Sequence, residues 1–284
     1  MKKRGIKLLA VFFLSQIAAV SFAYDFSADN DGTHIYYKVK EATDTVYVTS
    51  KDAGFNSYLG DVNIPDSIVY EGKRYIVGGI GDSAFRNCDA LSSVGIPDGV
   101  TYIGDDSFRG CSRLAQVKLP AELKKIGYYA FGMTDLDSIS VPSKTEEIGG
   151  MAFADCANLK SVKLPDELKV IDNYAFMNCR NLLTVNIPEK IEIIGRSAFF
   201  NCEKLGDEIH IGRYIKRIGL YAFGNCYNLK RVYCYGEMYI PYCEAGAFGD
   251  VKPIKMTLIV PPGYSDAYTR LQVWKDFETV KEEE

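Results

Sequence analysis

The chain has 284 residues with 33 basic against 37 acidic side chains, a net charge of −4, which excludes the clustered positive charge that nucleic-acid binding needs. Eight cysteines but only two histidines leave little for an imidazole-based relay. Length alone would allow two globular units.

At the start, Lys2, Lys3, Arg4 and Lys7 precede an apolar run from Leu8 through Val20, and Ser21, Phe22 and Ala23 supply residues that a signal peptidase reads. Residues 1–23 are therefore expected to be a secretory signal rather than a membrane anchor. The mature chain is then secreted, periplasmic or associated with the cell surface. Losing this segment removes four of the 33 basic side chains and no acidic one, leaving 29 against 37 and a net charge of −8. No other stretch reaches the roughly 20 apolar residues of a membrane span.

From residue 24 to 79 the pattern is short and alternating, as in His34-Ile35-Tyr36-Tyr37-Lys38-Val39 and Thr45-Val46-Tyr47-Val48, which predicts strands. Asp29-Asn30-Asp31-Gly32 and Glu71-Gly72 are turn sequences, and the arms Ile68-Val69-Tyr70 and Arg74-Tyr75-Ile76-Val77 flank the second as a hairpin. Asp29 to Gly32 also looks like part of a calcium loop, but the downstream glutamate is missing.

From residue 80 to 260 one unit repeats. Its phenylalanine recurs as Phe85, Phe108, Phe131, Phe153, Phe176, Phe199, Phe223 and Phe248, in steps of 23, 23, 22, 23, 23, 24 and 25 residues. A fixed period in this range means stacked coils. Each unit carries a leucine, an apolar-x-apolar triplet such as Val162-Lys163-Leu164, a proline, then Ile-Gly, Ala-Phe and a cysteine. The outer residues of a triplet point inward and the middle one outward. The second apolar step (Ile103, Ile126, Ile148, Ile171, Ile194, Ile218) forms the opposite wall, and the glycine after it, replaced only by Asp172, permits a tight bend. Ala-Phe is expected to make a short helical turn. The third unit lacks the cysteine, having Gly132-Met133-Thr134; the sixth carries an extra residue between Leu205 and Ile209, and Gly212 instead of proline. These departures read as tolerated loop variation.

The repeat resembles bacterial leucine-rich repeats of the BspA-like, or treponemal, type from about Asp61 to the C-terminus. The resemblance implies an α/β leucine-rich-repeat solenoid, strand-dominated with short helical turns, acting as a non-catalytic binding or adhesion scaffold without a cofactor. It also implies caps: a strand meander before the first repeat and, over 261–284, an Ala-Tyr…Trp-x-x-Phe segment closing the last coil. The residues agree, because a solenoid's apolar ends need cover. Ser265 to Phe277 reads as a helix with Ser265 as N-cap and Tyr268, Leu271, Trp274 and Phe277 on one face.

Six cysteines, Cys88, Cys111, Cys156, Cys179, Cys202 and Cys226, sit three residues after the repeat phenylalanine. A column of buried, reduced thiols is expected there; Cys234 and Cys243 lie off it, and a bridge between them stays open. Zinc-type spacings are absent, His34 and His210 are far apart, and the carboxylate pairs Asp105-Asp106 and Glu146-Glu147 read as solvated coil edges. No catalytic site is expected.

What varies from coil to coil is the outward strand face. It turns charged and aromatic at Glu208, His210, Arg231 and Tyr233, and tyrosine and arginine are residues that dominate binding hot spots. Arg231 and Tyr233 are expected to anchor a partner, with Glu208 and His210 orienting it and the imidazole adding a charge change near neutral pH. The expected partner is a protein, of the host or its extracellular matrix, met by a monomer. A glycan is the alternative, for which the twenty tyrosines speak. A second column, Tyr129, Met151, Tyr174, Met177, Phe200 and Tyr221, reads as packing between coils or as an apolar stripe.

Overall fold

Alternating apolar residues produce strands from the first residues described. The computed structural model describes residues 24–53, 56–236, 240–249 and 254–283; residues 1–23, where the secretory signal is expected, lie outside them. Strands β1 (Phe26–Asn30), β2 (Thr33–Val39), β3 (Thr45–Thr49), β4 (Gly60–Asn63), β5 (Ser67–Tyr70) and β6 (Lys73–Ile80) precede the repeats. The expected hairpin forms between β5 and β6, Ser67 opposite Ile76. Its turn residues Glu71 and Gly72 have φ of 49° and 76°, the left-handed pair that suits a two-residue hairpin.

Each repeat then adds short rungs. They are β7 (Leu91–Gly95), β8 (Tyr102–Ile103), β9 (Lys125–Ile126), β10 (Ser138–Ser140), β11 (Glu147–Ile148), β12 (Ser161–Lys163) and β13 (Val170–Ile171). After them come β14 (Thr184–Asn186), β15 (Ile193–Ile194), β16 (Glu208–Ile211), β17 (Arg217–Ile218), β18 (Arg231–Cys234), β19 (Tyr242–Cys243) and β20 (Ile254–Val260). The rungs stack in parallel as two walls. One wall runs β10-β12-β14 and then β16-β18-β20, the other β6-β8-β9-β11 and then β13-β15-β17-β19. Ile139 lies opposite Val162 and that opposite Val185, so the inward residues of successive triplets make one core. The solenoid begins upstream of the repeat proper: β4 pairs in parallel with β7, Val62 opposite Val94, and Tyr58 stacks on Phe85 at 4.4 Å.

The third side of each coil differs from expectation. The Ala-Phe segments are turns, not helical turns. Two residues per turn take a left-handed backbone, for example Tyr174 (φ 61°) and Asn178 (φ 62°) on either side of Phe176, which no right-handed helix accommodates. The phenylalanine N–H donates to the next coil instead, Phe153 to the Ala175 carbonyl at 2.9 Å and Phe176 to that of Ala198 at 2.8 Å. The rings follow in one buried stack from Phe85 to Phe248, with successive centroids between 4.8 and 5.5 Å. Burying one such ring stabilises by about 1.5–3 kcal/mol.

The glycine after each isoleucine has a different role from the one its sequence suggests. Gly104, Gly127, Gly149, Gly195 and Gly219 do not take positive φ. They pass against the previous coil's backbone: a Cβ on Gly195 would stand 2.6 Å from the Asn173 nitrogen. Gly212 is a close approach too, with a Cβ only 2.9 Å from Glu189 backbone carbon, so its departure from proline is not free variation. The wall pairing breaks between β11 and β13, next to Asp172, and between β14 and β16, next to the extra residue of the sixth unit.

All eight cysteines are buried free thiols, Cys234 and Cys243 included. The column expected of the other six forms, and its thiols donate to phenylalanine carbonyls of the preceding coil, Cys179 to Phe153 at 3.1 Å and Cys202 to Phe176 at 3.2 Å. In the third unit Thr134 takes the place, its hydroxyl 2.8 Å from the Phe131 carbonyl.

The C-terminal segment is shorter in helix than expected. A five-residue helix, α1 (Ser265–Thr269), is capped by Tyr264 rather than by Ser265, whose hydroxyl donates to Glu282 at 2.7 Å. Val273 then takes φ of 72° and breaks the helical path. A 3₁₀ turn at Trp274–Asp276 leads into β21 (Phe277–Glu282), parallel to β20. Tyr268, Trp274 and Phe277 are buried as the expected apolar face, while Leu271 is exposed.

Candidate binding face

The outward residues of β16 and β18 come together as the strand alternation requires. Glu208 lies opposite Arg231, and His210 opposite Tyr233. The Arg231 guanidinium donates to Glu208 at 2.9 Å and to Asp207 at 2.8 Å. That contact holds the Glu208 carboxyl below its ordinary range, with His210 adding to it, and raises the guanidinium still further. The His210 ring stacks on Tyr233 at 4.2 Å with 7° between planes. One ring nitrogen is 3.1 Å from the Tyr235 hydroxyl and the other 3.5 Å from Glu208.

Two members of this cluster are absent from the sequence reading. Tyr235 extends the outward row, two residues beyond Tyr233, and reaches Glu283 at 3.3 Å; burial first, then that carboxylate, pushes its phenol up to about 12. The i, i+2 alternation along β18 carries the signal for it. Asp207 precedes the strand, and only the pairing of Arg231 identifies it.

The cluster can offer a ring edge, a guanidinium already shared by two carboxylates, and hydroxyl and imidazole donors. Among the described residues no group of three or more His, Cys, Asp or Glu side chains is placed to hold a metal, and no helix is long and apolar enough to cross a membrane. The carboxylates at coil edges do more than meet solvent: Asp105 accepts the Tyr128 N–H at 2.7 Å and Glu147 pairs with Lys125 at 2.8 Å. The column Tyr129, Met151, Tyr174, Met177, Phe200 and Tyr221 is half-buried throughout. Tyr128 donates to the Met151 sulfur at 2.8 Å and Phe200 meets Tyr221 at 6.1 Å, contacts between neighbouring coils.

The profile of the BspA-type leucine-rich-repeat region matches residues 78–206 and 206–261 in six copies. A leucine-rich repeat protein of Bacteroides ovatus has a similar crystal structure, with 25% identity and a TM-score of 0.54 over 92% of this chain and 77% of that one. The leucine-rich repeat protein of T. pallidum is 26% identical over 69% of this chain and 87% of that one, with a TM-score of 0.47. No curated protein sequence matches.

Proposed function

This chain belongs to the BspA-type leucine-rich-repeat family, and from that premise we propose that it is an exported, non-catalytic adhesion module that recognises a protein partner through the outward strand face at β16 and β18. The observation that carries the reading is the joining of Glu208, His210, Arg231 and Tyr233 into one contact network on a face that upstream carries small, polar or singly charged residues. Upstream in the same register the outward rows are Ser138, Ser161 and Thr184, and Ser140, Lys163 and Asn186. Export rests on the composition of residues 1–23.

The ring geometry favours a protein over a glycan at this face. Stacked at 4.2 Å, His210 and Tyr233 cover one another's faces, leaving edges and polar tips outward, whereas a sugar ring packs on an open aromatic face. A pull-down against host-surface and extracellular-matrix proteins, with wild type and Arg231→Ala/Tyr233→Ala side by side, tests the reading. Each replacement is expected to weaken binding by more than about 1 kcal/mol with little change in melting temperature, since exposed ion pairs contribute only about 0–1 kcal/mol. Equal binding by a folded double variant would move the contact to another face.

A further inference from the structure

The junction between the upstream strands and the first coil carries a second, differently built site. In register across the sheet, Lys38 lies opposite Tyr47, Tyr47 opposite Gly79, and Gly79 opposite Tyr102. Gly79 has no side chain in that row because there is no room for one: a Cβ would stand 2.7 Å from the Tyr47 ring. The ring therefore leans over bare backbone towards Tyr102, and the two centroids come to 6.0 Å at an interplanar angle of 44°. Unlike the rings at β16 and β18, these two are too far apart and too tilted to cover one another.

Between them opens a cleft of about 660 Å³, lined also by Lys38, Asp52, Asp82 and Ser83. That volume falls within the roughly 300–1,000 Å³ of ligand sites, which favour seams of this kind. The Asp82 wall is held in place by the fold itself. Asp82 accepts the Tyr102 hydroxyl at 3.0 Å and the Asp105 N–H at 2.9 Å, and a Cβ on Gly81 would meet the Val48 carbonyl at 3.0 Å. Preorganisation of this sort lowers the cost of binding.

We propose that this cleft binds a neutral oligosaccharide, with pyranose C–H faces packed on Tyr47 and Tyr102 and sugar hydroxyls bonded to Asp82, Asp52, Ser83 and Lys38. The chemistry selects the class. The carboxylates of Asp52 and Asp82 stand against the ammoniums of Lys38 and of Lys40, which lies 5.9 Å from the Tyr47 ring centroid, a near balance that gives an ion of either sign no advantage. Carboxylates accept and an ammonium donates, while sugar hydroxyls do both and need no charge of their own. The half-buried rings of Tyr47 and Tyr102 present apolar surface that matches the apolar side of a pyranose ring. This site is separate from the Arg231 face, so either can fail without the other.

The test uses the full-length chain and a panel of neutral gluco-, manno- and galacto-oligosaccharides, read by saturation-transfer NMR on the sugar protons and by titration calorimetry. Ring C–H protons of at least one oligosaccharide are expected to receive saturation. Tyr47→Leu and Tyr102→Leu, which keep apolar bulk but lose the ring face, are expected to weaken that sugar at least tenfold. Lys38→Ala, on an exposed side chain that leaves the fold intact, should weaken it a few-fold, and Tyr242→Ala at the far end should leave it unchanged. No saturation transfer from the wild type at millimolar sugar, equal affinity in Lys38→Ala and a folded tyrosine variant, or capture of peptides in preference to sugars would each overturn the proposal.

Discussion

Cys179 has two neighbours in its column and one obligation, the Phe153 carbonyl that takes its thiol proton. Cys179→Ala leaves that buried acceptor without its donor and is expected to cost about 1–3 kcal/mol, measured by denaturant unfolding. Cys179→Thr should cost about as much, because the threonine at this place, Thr134, bonds the carbonyl of its own unit's Phe131 and not one of the preceding coil. Burial raises every thiol in the column: Cys156 to about 11, Cys226 to about 12 and Cys179 well above its ordinary value. An unfolded thiol ionises near pH 8.5, so above that pH the unfolded chain sheds protons that the folded chain keeps. Stability is therefore full below about pH 8 and falls as pH rises towards 11, by about 1.4 kcal/mol per unit for each thiol concerned. Melting temperatures flat to pH 10 would contradict this. Thiol reagents should label these residues only after denaturation. The buried thiol column was readable from spacing alone, since three residues after a core phenylalanine is a fixed place in a repeating coil; the acceptor was not, because it belongs to the neighbouring coil about 26 residues away.

At the scale of a rung, the coil-to-coil approach decides what residues are allowed. Gly195→Ala places a Cβ 2.6 Å from one backbone atom and 2.7 Å from another, which overpacks the seam and should cost about 1–3 kcal/mol. Gly99→Ala, with nothing within 4 Å of its Cβ, serves as the internal control and should stay within about 0.5 kcal/mol of wild type. Chemical denaturation of the two variants together checks the contrast; equal midpoints would mean that the seam can open without loss. The rungs themselves were legible because apolar alternation and a 23-residue period leave little choice. The Ala-Phe turns and the last segment were misread towards helix for different physical reasons. In the turns, left-handed residues such as Tyr174 and Asn178 are stabilised by bonds to the next coil, which local propensity does not record. In the last segment, helical spacing of Tyr268, Trp274 and Phe277 did bring three buried rings together. Val273 nevertheless breaks the path, and Phe277–Glu282 after it joins β20 as a strand.

Across the whole molecule, one aromatic column runs from Tyr58 through eight phenylalanines to Trp274 and Phe277. Each coil touches only its neighbours, so stability is a sum of coil and seam terms and unfolding can begin at either end. The ends are thus where caps matter. Trp274 closes the column against Phe248 at 5.8 Å and bonds the Pro241 carbonyl through its indole N–H at 3.1 Å. Tyr268 meets its ring edge-on at 5.3 Å. Trp274→Ala removes a large buried ring and is expected to cost about 3–5 kcal/mol, but in a quasi-one-dimensional chain the loss should be local first. Native-state hydrogen exchange would follow it: amides of β20, β18 and β16 should lose protection in that order, while β8, β9 and β11 keep theirs. The Arg231 face lies inside the affected end and the Tyr47–Tyr102 cleft outside it. Partner capture should then fall in this variant before sugar binding does. A uniform loss of protection along the chain would show instead that the coils unfold as a single unit, with the C-terminal cap supporting both faces equally.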